Sequence, residues 1–553
     1  MNRSDYINKV LTIISNTDKF IKIFDDPFKY LIRLEDKLNR ILRSLKSKNI
    51  FSEDTYNFLF ASGSKPGVLY GLPKTHKTGL PVRPILSALG TFNYNLAKFF
   101  VPLLKPLTTN EYTLINSYNL VEKIKQLSFN KEVYLASFDV KDLFTNIPLD
   151  ETIDLCTQQL FLHDSLIGGL NSEQFKSLLE LATKESFFLF DNAYYKQVDG
   201  VAMGSPLGPT LANSFLCFHE RNWLSECSGD FLPLRYFRYV DDCLLIFDDK
   251  SKIAKFLDYL NSQHPNIRFT CELEENSKIA FLDTLIKKNS NSSFSYSVYR
   301  KPTFTGLGIN YFSFIPDLFK INAIKTLLHR AFLITSDWIS FDKEVTFLRN
   351  FFFNNGYPLH VFDNVVKRFI NRKLVKKSSV IDVPKDIKYI PLPFYGYSTL
   401  LLKNELNKFL SVAFPQINFR LILYNNNKLG NFFRLKDVIP SHLCSGVVYE
   451  YSCLGCTSKY VGCSMRNIHI RISEHKGRSY RTNRVLLKPL FSEVREHAVE
   501  NDHPISSDSF KLLAKHLNKY DIQIVESLFI HKKKPDLNNY GSSKRLLVID
   551  TVS

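Results

Sequence analysis

The sequence predicts a multidomain α+β protein, and three observations lead there. A chain of 553 residues with 44% hydrophobic content, 14% aromatic content and 47 Phe supplies several cores, roughly three or four domains' worth. Segments with helical spacing alternate with short strand-like runs over most of its length. Chemistry-bearing residues gather in two separate regions: carboxylates in the middle, and Cys, His and Tyr near the C-terminus.

Taken in order, residues 1–60 read as a basic helical extension, as in "YLIRLEDKLNRILRSLKS", with apolar positions at helical spacing. Residues 61–309 begin with the Gly/Pro-punctuated stretch "GSKPGVLYGLPKTHKTGLPVRPILSALG", where strands and turns suit a phosphate-bearing ligand, and continue as mixed helices and strands. Residues 310–375 read as helices ("NAIKTLLHRAFLI", "NVVKRFINRKLVKK"), 376–443 as a connecting region, and 444–553 as a compact α/β domain. There is no internal repeat and no low-complexity tract.

The formal charge of +18 is spread along the chain, which favours an extended polyanion, nucleic acid first and an anionic membrane surface second. No apolar run approaches the roughly 20 residues of a membrane span. The first twenty residues lack the apolar stretch of a signal peptide, so a cytoplasmic or nuclear protein is expected. Of nine Cys, five (Cys156, Cys217, Cys227, Cys243, Cys271) are scattered as reduced core thiols suit. Cys444, Cys453, Cys456 and Cys463 crowd together and need another explanation.

The doublet Asp241-Asp242 in "RYVDDCLLIF" lies between two strand-like runs. Asp25-Asp26 and Asp248-Asp249 are also doublets, and each reads as a solvated turn. Read alone, Asp241-Asp242 has the same turn reading beside a metal reading. Upstream, Asp139 ends the run "YLASFDV", with Asp142 three residues later. If the two strands pair, Asp139 and Asp241 can hold two divalent ions roughly 4 Å apart, and oxygen ligands suit Mg2+. One ion would then activate a primer 3'-hydroxyl and the other would stabilise leaving pyrophosphate. Between them, "GVAMGSPLGPTLANSFL" lets backbone approach a ligand closely.

Phe138-Asp139-Val140, Ala202-Met203-Gly204-Ser205-Pro206-Leu207-Gly208-Pro209 and Tyr239-Val240-Asp241-Asp242 resemble three successive palm motifs of reverse transcriptases, in order and spacing. "FLDTLI" and "YRKPTFTG" are similar to the Penelope-like retroelement branch. The likeness spans about 65–310 and implies fingers, a palm and a helical thumb after it. It makes Asp139 and Asp241 the ligands of two Mg2+ ions and Asp242 their supporting neighbour. Phe144 would be the steric gate against a ribose 2'-hydroxyl, and Gly204 part of the nucleotide site. Lys74 and Arg83 would grip the incoming triphosphate, Arg through its planar fork. His76 and Lys77 suit phosphate contacts equally well.

Near the C-terminus, "VVYEYS" and "KYVGCS" read as two strands joined by a short turn. A helix follows, with Ser464 as a plausible N-cap, and places Arg471 and His475 four residues apart on one face. Tyr449, Tyr460, Arg471 and His475 then suit phosphodiester hydrolysis, with a base for water and a cation for the phosphorane. Gly446-Val447-Val448-Tyr449 and Tyr460-Val461-Gly462 resemble the two motifs of GIY-YIG endonucleases. That resemblance puts Glu526 in the place of the family's metal-binding Glu, for one further Mg2+. A structural or catalytic Asn falls at Asn538 or Asn539.

Cys453 and Cys456 have C-x2-C spacing, and His497 and His503 follow, so two thiolates and two imidazoles can complete a closed Zn2+ site. The rival reading is two free thiols and two surface histidines. Penelope-like elements carry such an insertion in this nuclease, and Cys444 and Cys463 are then bystanders. The implied fold class is a right-hand polymerase followed by a small α/β GIY-YIG domain with a zinc-binding insertion.

The implied activity is RNA-directed DNA polymerisation with DNA nicking, as in target-primed reverse transcription. Template RNA, target DNA and deoxynucleoside triphosphates are the expected partners, with no membrane. Nuclear action is expected, after synthesis and RNA loading in the cytoplasm. Two rivals stay open: a cellular or telomere-type reverse transcriptase using its nuclease domain for targeting, and a non-catalytic nucleic-acid-binding relic.

Overall fold

Contacts between residues divide the chain into two compact units, one of residues 1–110, 142–222 and 435–553, the other of 111–141 and 223–434. The computed structural model describes residues 1–538 apart from 76, 290–292, 375–386, 426–435 and 516–517. The architecture is mixed α+β, and among the described residues no helix is long and apolar enough to cross a membrane.

In the first unit a five-stranded sheet runs Phe20–Ile23, Ala193–Gln197, Ser186–Phe190, Gly67–Pro73, Val82–Ser87. Its central hairpin turns at Asp191 and Asn192, both at positive φ, which matches the twist of a tight two-residue turn. Phe20–Ile23 is a departure from the all-helical reading of residues 1–60. It pairs antiparallel with Ala193–Gln197, so the N-terminal extension supplies an edge strand.

The helix Pro27–Ser47 follows the sequence signals closely. Asp26 caps it, Pro27 opens it, and Leu31, Leu34, Leu38, Leu42 and Leu45 form its buried stripe. Two buried polar residues interrupt the stripe, and both are satisfied by the following loop. Glu35 accepts from the Ser64 amide at 2.7 Å, and Asn39 bonds both backbone groups of Ala61.

The same helix seats the C-terminal domain. Phe28 lies 4.5 Å from the His469 ring and packs with Leu443 and Ile470, while Asp36 pairs with Arg481 at 2.8 Å. That domain is an antiparallel three-stranded sheet with Val447–Ser452 between Lys459–Ser464 and Phe510–Lys515. Alternation along the central strand sends Val448 and Glu450 toward the helix Lys519–Lys533, where Lys533 holds the Glu450 carboxylate at 2.9 and 3.0 Å. Tyr449 and Tyr451 go to the other face.

In the second unit a four-stranded antiparallel sheet runs Arg235–Tyr239, Asp242–Phe247, Tyr134–Val140, Phe269–Leu273. The helix Ser251–Gln263 covers one face, where Phe256 meets Phe138 and Phe247. The helix Ser117–Lys125 packs on the other through Leu120, Val121 and Ile124. A second sheet of Lys278–Phe281, Thr284–Lys288 and Phe294–Val298 leads to three helices, Asp317–Ile334, Trp338–Asn354 and Leu359–Leu374. Leu328, Leu348, Phe352 and Phe362 form their shared core. Residues 376–443 are more than a connector: Ile387–Pro393 and Asn418–Tyr424 pair in parallel around the helix Tyr397–Ala413.

Burial raises the Glu35 carboxyl above its ordinary 4.5, against the pull of the Ser64 amide. The folded state therefore holds this proton more tightly, and stability falls as pH climbs from 4.5 to the folded value. Glu35→Gln keeps an acceptor for Ser64 and removes the charge. Its melting temperature is expected above wild type at about pH 7.5, with the gap closing as pH falls toward 4.5. Equal melting across that range, followed by thermal shift, would contradict the buried charge.

Candidate active sites

Asp139 and Asp242 sit directly opposite each other in the antiparallel ladder of the four-stranded sheet. Asp241 occupies the tight turn joining Arg235–Tyr239 to Asp242–Phe247, and its carbonyl accepts from the Val140 amide at 3.0 Å. The three acids are thus brought to one end of the sheet. Burial first, then the charges of Asp241 and Asp139, push the Asp242 carboxyl up to about 6, with Lys301 pulling the other way. Three hard oxygen donors gathered at one end of a sheet fit divalent cations such as Mg2+. The control doublets behave otherwise. Asp26 caps a helix, Asp25 pairs with Arg33, Asp248 pairs with Lys131 and Lys252, and Asp249 accepts from the Ser251 amide.

The turn itself is strained. Val240 has φ +56°, where a β-branched side chain costs about 1–2 kcal/mol. Arg238, 0% exposed, donates from Nη1 to the Val240 carbonyl at 3.0 Å. Its own backbone is bonded to Tyr112 and Leu114. The sequence reading missed Arg238, because a basic residue in a strand next to a turn reads as an exposed edge. It missed Lys301 too, although "YRKPTFTG" had singled out the segment.

The expected nucleotide residues lie in the other unit. Arg83 is exposed on the strand Val82–Ser87, and Lys74 follows Gly67–Pro73 and pairs with Asp142 at 3.2 Å. The loop before the helix Gly208–Glu226 ties these parts together: Val201 donates to the Phe144 carbonyl at 2.6 Å, and Leu86 donates to that of Met203 at 2.7 Å. Gly204 has φ +104°, and a Cβ there would stand 2.2 Å from the Leu86 carbonyl oxygen, so only glycine fits. Phe144 is half-buried in the one-turn helix Leu143–Asn146, against Gly208. Lys77 is exposed, and His76 lies outside the described residues.

In the C-terminal domain the cap expected at Ser464 is instead Asn467. Ser464 ends a strand, and the Asn467 side chain accepts from the His469 amide ahead of the helix Ile468–His475. The structure brings Tyr449, Tyr460, Arg471 and His475 together. Tyr449 Oη lies 2.7 Å from His475 Nε2 and accepts from Arg471 Nε at 3.1 Å. The Tyr460 ring stands 5.8 Å from His475 and 6.4 Å from Tyr449. Burial drives the Tyr449 phenol far above its ordinary range, with Arg471 opposing, and pushes Tyr460 up to about 12. Burial, then Arg471, lowers His475 to about 3, so the ring is neutral. Tyr449 and His475 are 0% exposed, and half-buried Arg471 and Glu526 form the part that reaches the surface.

Glu526 is raised by burial, and Cys463 donates to it at 3.1 Å. Cys463, read as a bystander, thus stands on the expected metal carboxylate. Asn538 bonds both backbone groups of Val461 at 2.8 Å, which anchors it beside the Tyr460 strand, while Asn539 lies outside the described residues.

Cys453, Cys456, His497 and His503 place their ligand atoms within 4.8 Å of one another. Cys453 Sγ to His503 Nδ1 is 3.3 Å, and Cys456 Sγ to His497 Nε2 and the two His nitrogens are each 3.4 Å apart. A tetrahedron built on Zn–S and Zn–N bonds has edges of about 3.3–3.8 Å. Burial works to raise the Cys453 thiol, but the Gly455 amide, His497 and Tyr451 outweigh it and bring it to about 6, toward the thiolate a metal requires. The four residues fit zinc.

Residues 76–288 match the family model described as reverse transcriptase (RNA-dependent DNA polymerase), and residues 308–367 that of the animal helix-turn-helix domain. The chain therefore carries a reverse transcriptase domain. No curated protein matches the sequence. Similar solved structures include apo telomerase from Candida tropicalis truncated from its C-terminal domain, at 12% identity, covering 52% of this chain and 58% of that one, with TM-score 0.36. Telomerase from Candida albicans with the TWJ fragment of telomeric RNA is 12% identical over 60% of this chain and 63% of that one, TM-score 0.40. The Sicinivirus 3Dpol RNA-dependent RNA polymerase is 13% identical over 63% and 87%, TM-score 0.37. The chain spans about three fifths of the telomerase chains.

The Arg238 bond to the strained turn generates an expectation. Arg238→Met removes a charged donor, a loss of about 1.5–3 kcal/mol at the turn, and primer extension should slow roughly 10- to 100-fold. Val240→Gly adopts the same φ without strain and should recover part of that rate in the double variant. Single-turnover extension that is unaffected by Arg238→Met, or no better in the double variant, would remove Arg238 from this role.

Proposed function

We propose that the chain is a two-activity retroelement enzyme of the Penelope-like type. Its RNA-directed DNA polymerase copies template RNA from a 3'-hydroxyl that its own GIY-YIG nuclease exposes in target DNA, in the nucleus. The observation that carries the second activity is the Tyr449–His475–Arg471 cluster, with Glu526 and Tyr460 beside it, in a chain that also carries the Asp139, Asp241 and Asp242 site.

In the polymerase, Asp139, Asp241 and Asp242 would hold Mg2+, which activates the primer hydroxyl and neutralises leaving pyrophosphate. Arg83 and Lys74 draw the triphosphate, and Phe144 excludes a ribose 2'-hydroxyl. The glycine at position 204 lets its backbone pass against the Leu86 carbonyl, on the strand that carries Arg83. The charge of +18 suits a protein that binds RNA, DNA and their hybrid together.

In the nuclease, Arg471 faces the scissile phosphate with a fixed positive charge, Tyr449 is a neutral hydroxyl held by His475, and Glu526 would hold Mg2+. Zinc on Cys453, Cys456, His497 and His503 would tie the hairpin to the helix Glu493–Glu500.

The two activities should separate. Asp241→Asn is expected to abolish extension of an annealed primer on RNA while nicking of supercoiled DNA continues, and Glu526→Ala to do the reverse. Insertion into target DNA should require both in one reaction. A Glu526→Ala chain that initiates on intact DNA as well as wild type would exclude self-priming and favour a telomere-type enzyme working from existing ends. For the gate, Phe144→Ala is expected to incorporate ribonucleotides at least 10-fold more readily, and unchanged discrimination in a competition assay would sink that assignment.

A further inference from the structure

The nuclease cluster has a member that neither the motifs nor the proposed chemistry includes. Ser492 is 4% exposed, and its Oγ lies 2.5 Å from His475 Nδ1, on the side of the ring away from Tyr449. Ser492 is also the N-cap of the helix Glu493–Glu500. Its Oγ accepts from the Arg495 amide at 3.3 Å, and its carbonyl accepts from the Arg495 and Glu496 amides at 3.0 Å. The position of that hydroxyl is therefore the position of the helix.

The helix belongs to the Cys2His2 cluster. His497 lies on it, Asn501 closes its end by bonding the His497 carbonyl at 2.8 Å, and His503 follows directly. The two thiols stand at the tip of the hairpin whose first strand, Val447–Ser452, carries Tyr449. A cation held by the four ligands thus closes a ring of contacts. The ring runs from the strand through Tyr449, His475 and Ser492 to the helix, and back through His497 and Cys453.

We propose that Ser492 is a positioning residue of the nuclease, and that metal occupancy of the Cys453, Cys456, His497, His503 site holds it against His475 and so orients Tyr449. The inference rests on the nuclease reading above. Its physical content is the tautomer of one buried ring. A neutral imidazole carries a single N–H, and the partner of one nitrogen decides which keeps it. Tyr449 Oη already accepts from Arg471, so its own hydrogen goes to Nε2. That leaves the proton on Nδ1 and makes Ser492 Oγ its acceptor. Without the hydroxyl, the Nδ1–H is buried unpaired, and the ring gains by turning or by changing tautomer.

The test uses the full-length protein with Ser492→Ala and Ser492→Thr. Four quantities are measured: single-turnover nicking against DNA concentration, bound zinc, primer extension, and the 15N spectrum of a histidine-labelled chain. Ser492→Ala is expected to slow nicking about 10- to 100-fold with half-saturation, zinc content and primer extension unchanged. Ser492→Thr should restore most of the rate. In the 15N spectrum, His475 should show one tautomer in wild type and a mixture in Ser492→Ala, and chelating zinc from wild type should reproduce the mixture. Nicking by Ser492→Ala within twofold of wild type would overturn the proposal. Loss of zinc together with nicking would overturn it as well, by reducing Ser492 to a helix cap. If wild type itself does not nick, the nuclease reading fails separately. The coupling is then decided by the spectrum alone, and a His475 signal indifferent to both zinc and Ser492→Ala would end it.

Discussion

The antiparallel register between Tyr134–Val140 and Asp242–Phe247 is the constraint on which the polymerase site depends. Side chains alternate with period two, so a slip of one residue would carry Asp139 to the opposite face of the sheet. The register is held by what lies behind the acids. Phe138 opposite Cys243, Ala136 opposite Leu245 and Tyr134 opposite Phe247 form the face that Phe256 covers. Burying those rings is favourable enough to hold three carboxylates together, and burial first, then the charges of Asp241 and Asp139, make Asp242 resist ionisation. The strain at Val240 belongs to the same economy: a tight turn is what brings Asp241 back over the end of the neighbouring strand.

The C-terminal domain solves a different problem with the same rule, that buried polar groups must be paired. Its cluster is almost wholly enclosed, and the Tyr449 hydroxyl, both His475 ring nitrogens and the Arg471 guanidinium find partners within the fold before any substrate arrives. Enclosure also sets protonation: the phenols stay protonated and the imidazole stays neutral. What faces solvent is the guanidinium and the carboxylate, a pair suited to a phosphodiester with its cation. The two sites differ accordingly, one an open end of a sheet, the other a buried scaffold with a charged rim.

Much of this was legible in the sequence, and the remainder was not for physical reasons. That Asp139 and Asp241 come together was readable because each ends an apolar, strand-like run and the two strands are neighbours. The gathering of Cys453, Cys456, His497 and His503 was readable because the C-x2-C and paired-His spacing survives in the linear order. Arg238 was not, since its value lies in a turn strained by its neighbour, and strain leaves no compositional mark. Ser492 reads as a helix cap and is one. Its second contact, to His475, exists only after the sheet and helix have packed. The strand Phe20–Ile23 was lost among helices because four residues carry little periodicity, and its partner Ala193–Gln197 lies far along the chain. The parallel pair within 387–424 was missed because two prolines in its first strand argue against a strand.

The seating of the C-terminal domain on the helix Pro27–Ser47 has a consequence for the order of events at the ribosome. Phe28 and Asp36 are made more than four hundred residues before His469, Ile470 and Arg481. At about 5–20 residues per second, the helix waits roughly 20–90 s with its apolar seat uncovered. During that interval the seat is open to chaperones or to a neighbouring nascent chain on the same message. Docking of the C-terminal domain therefore closes long after its seat is made, and it depends on that seat being kept vacant.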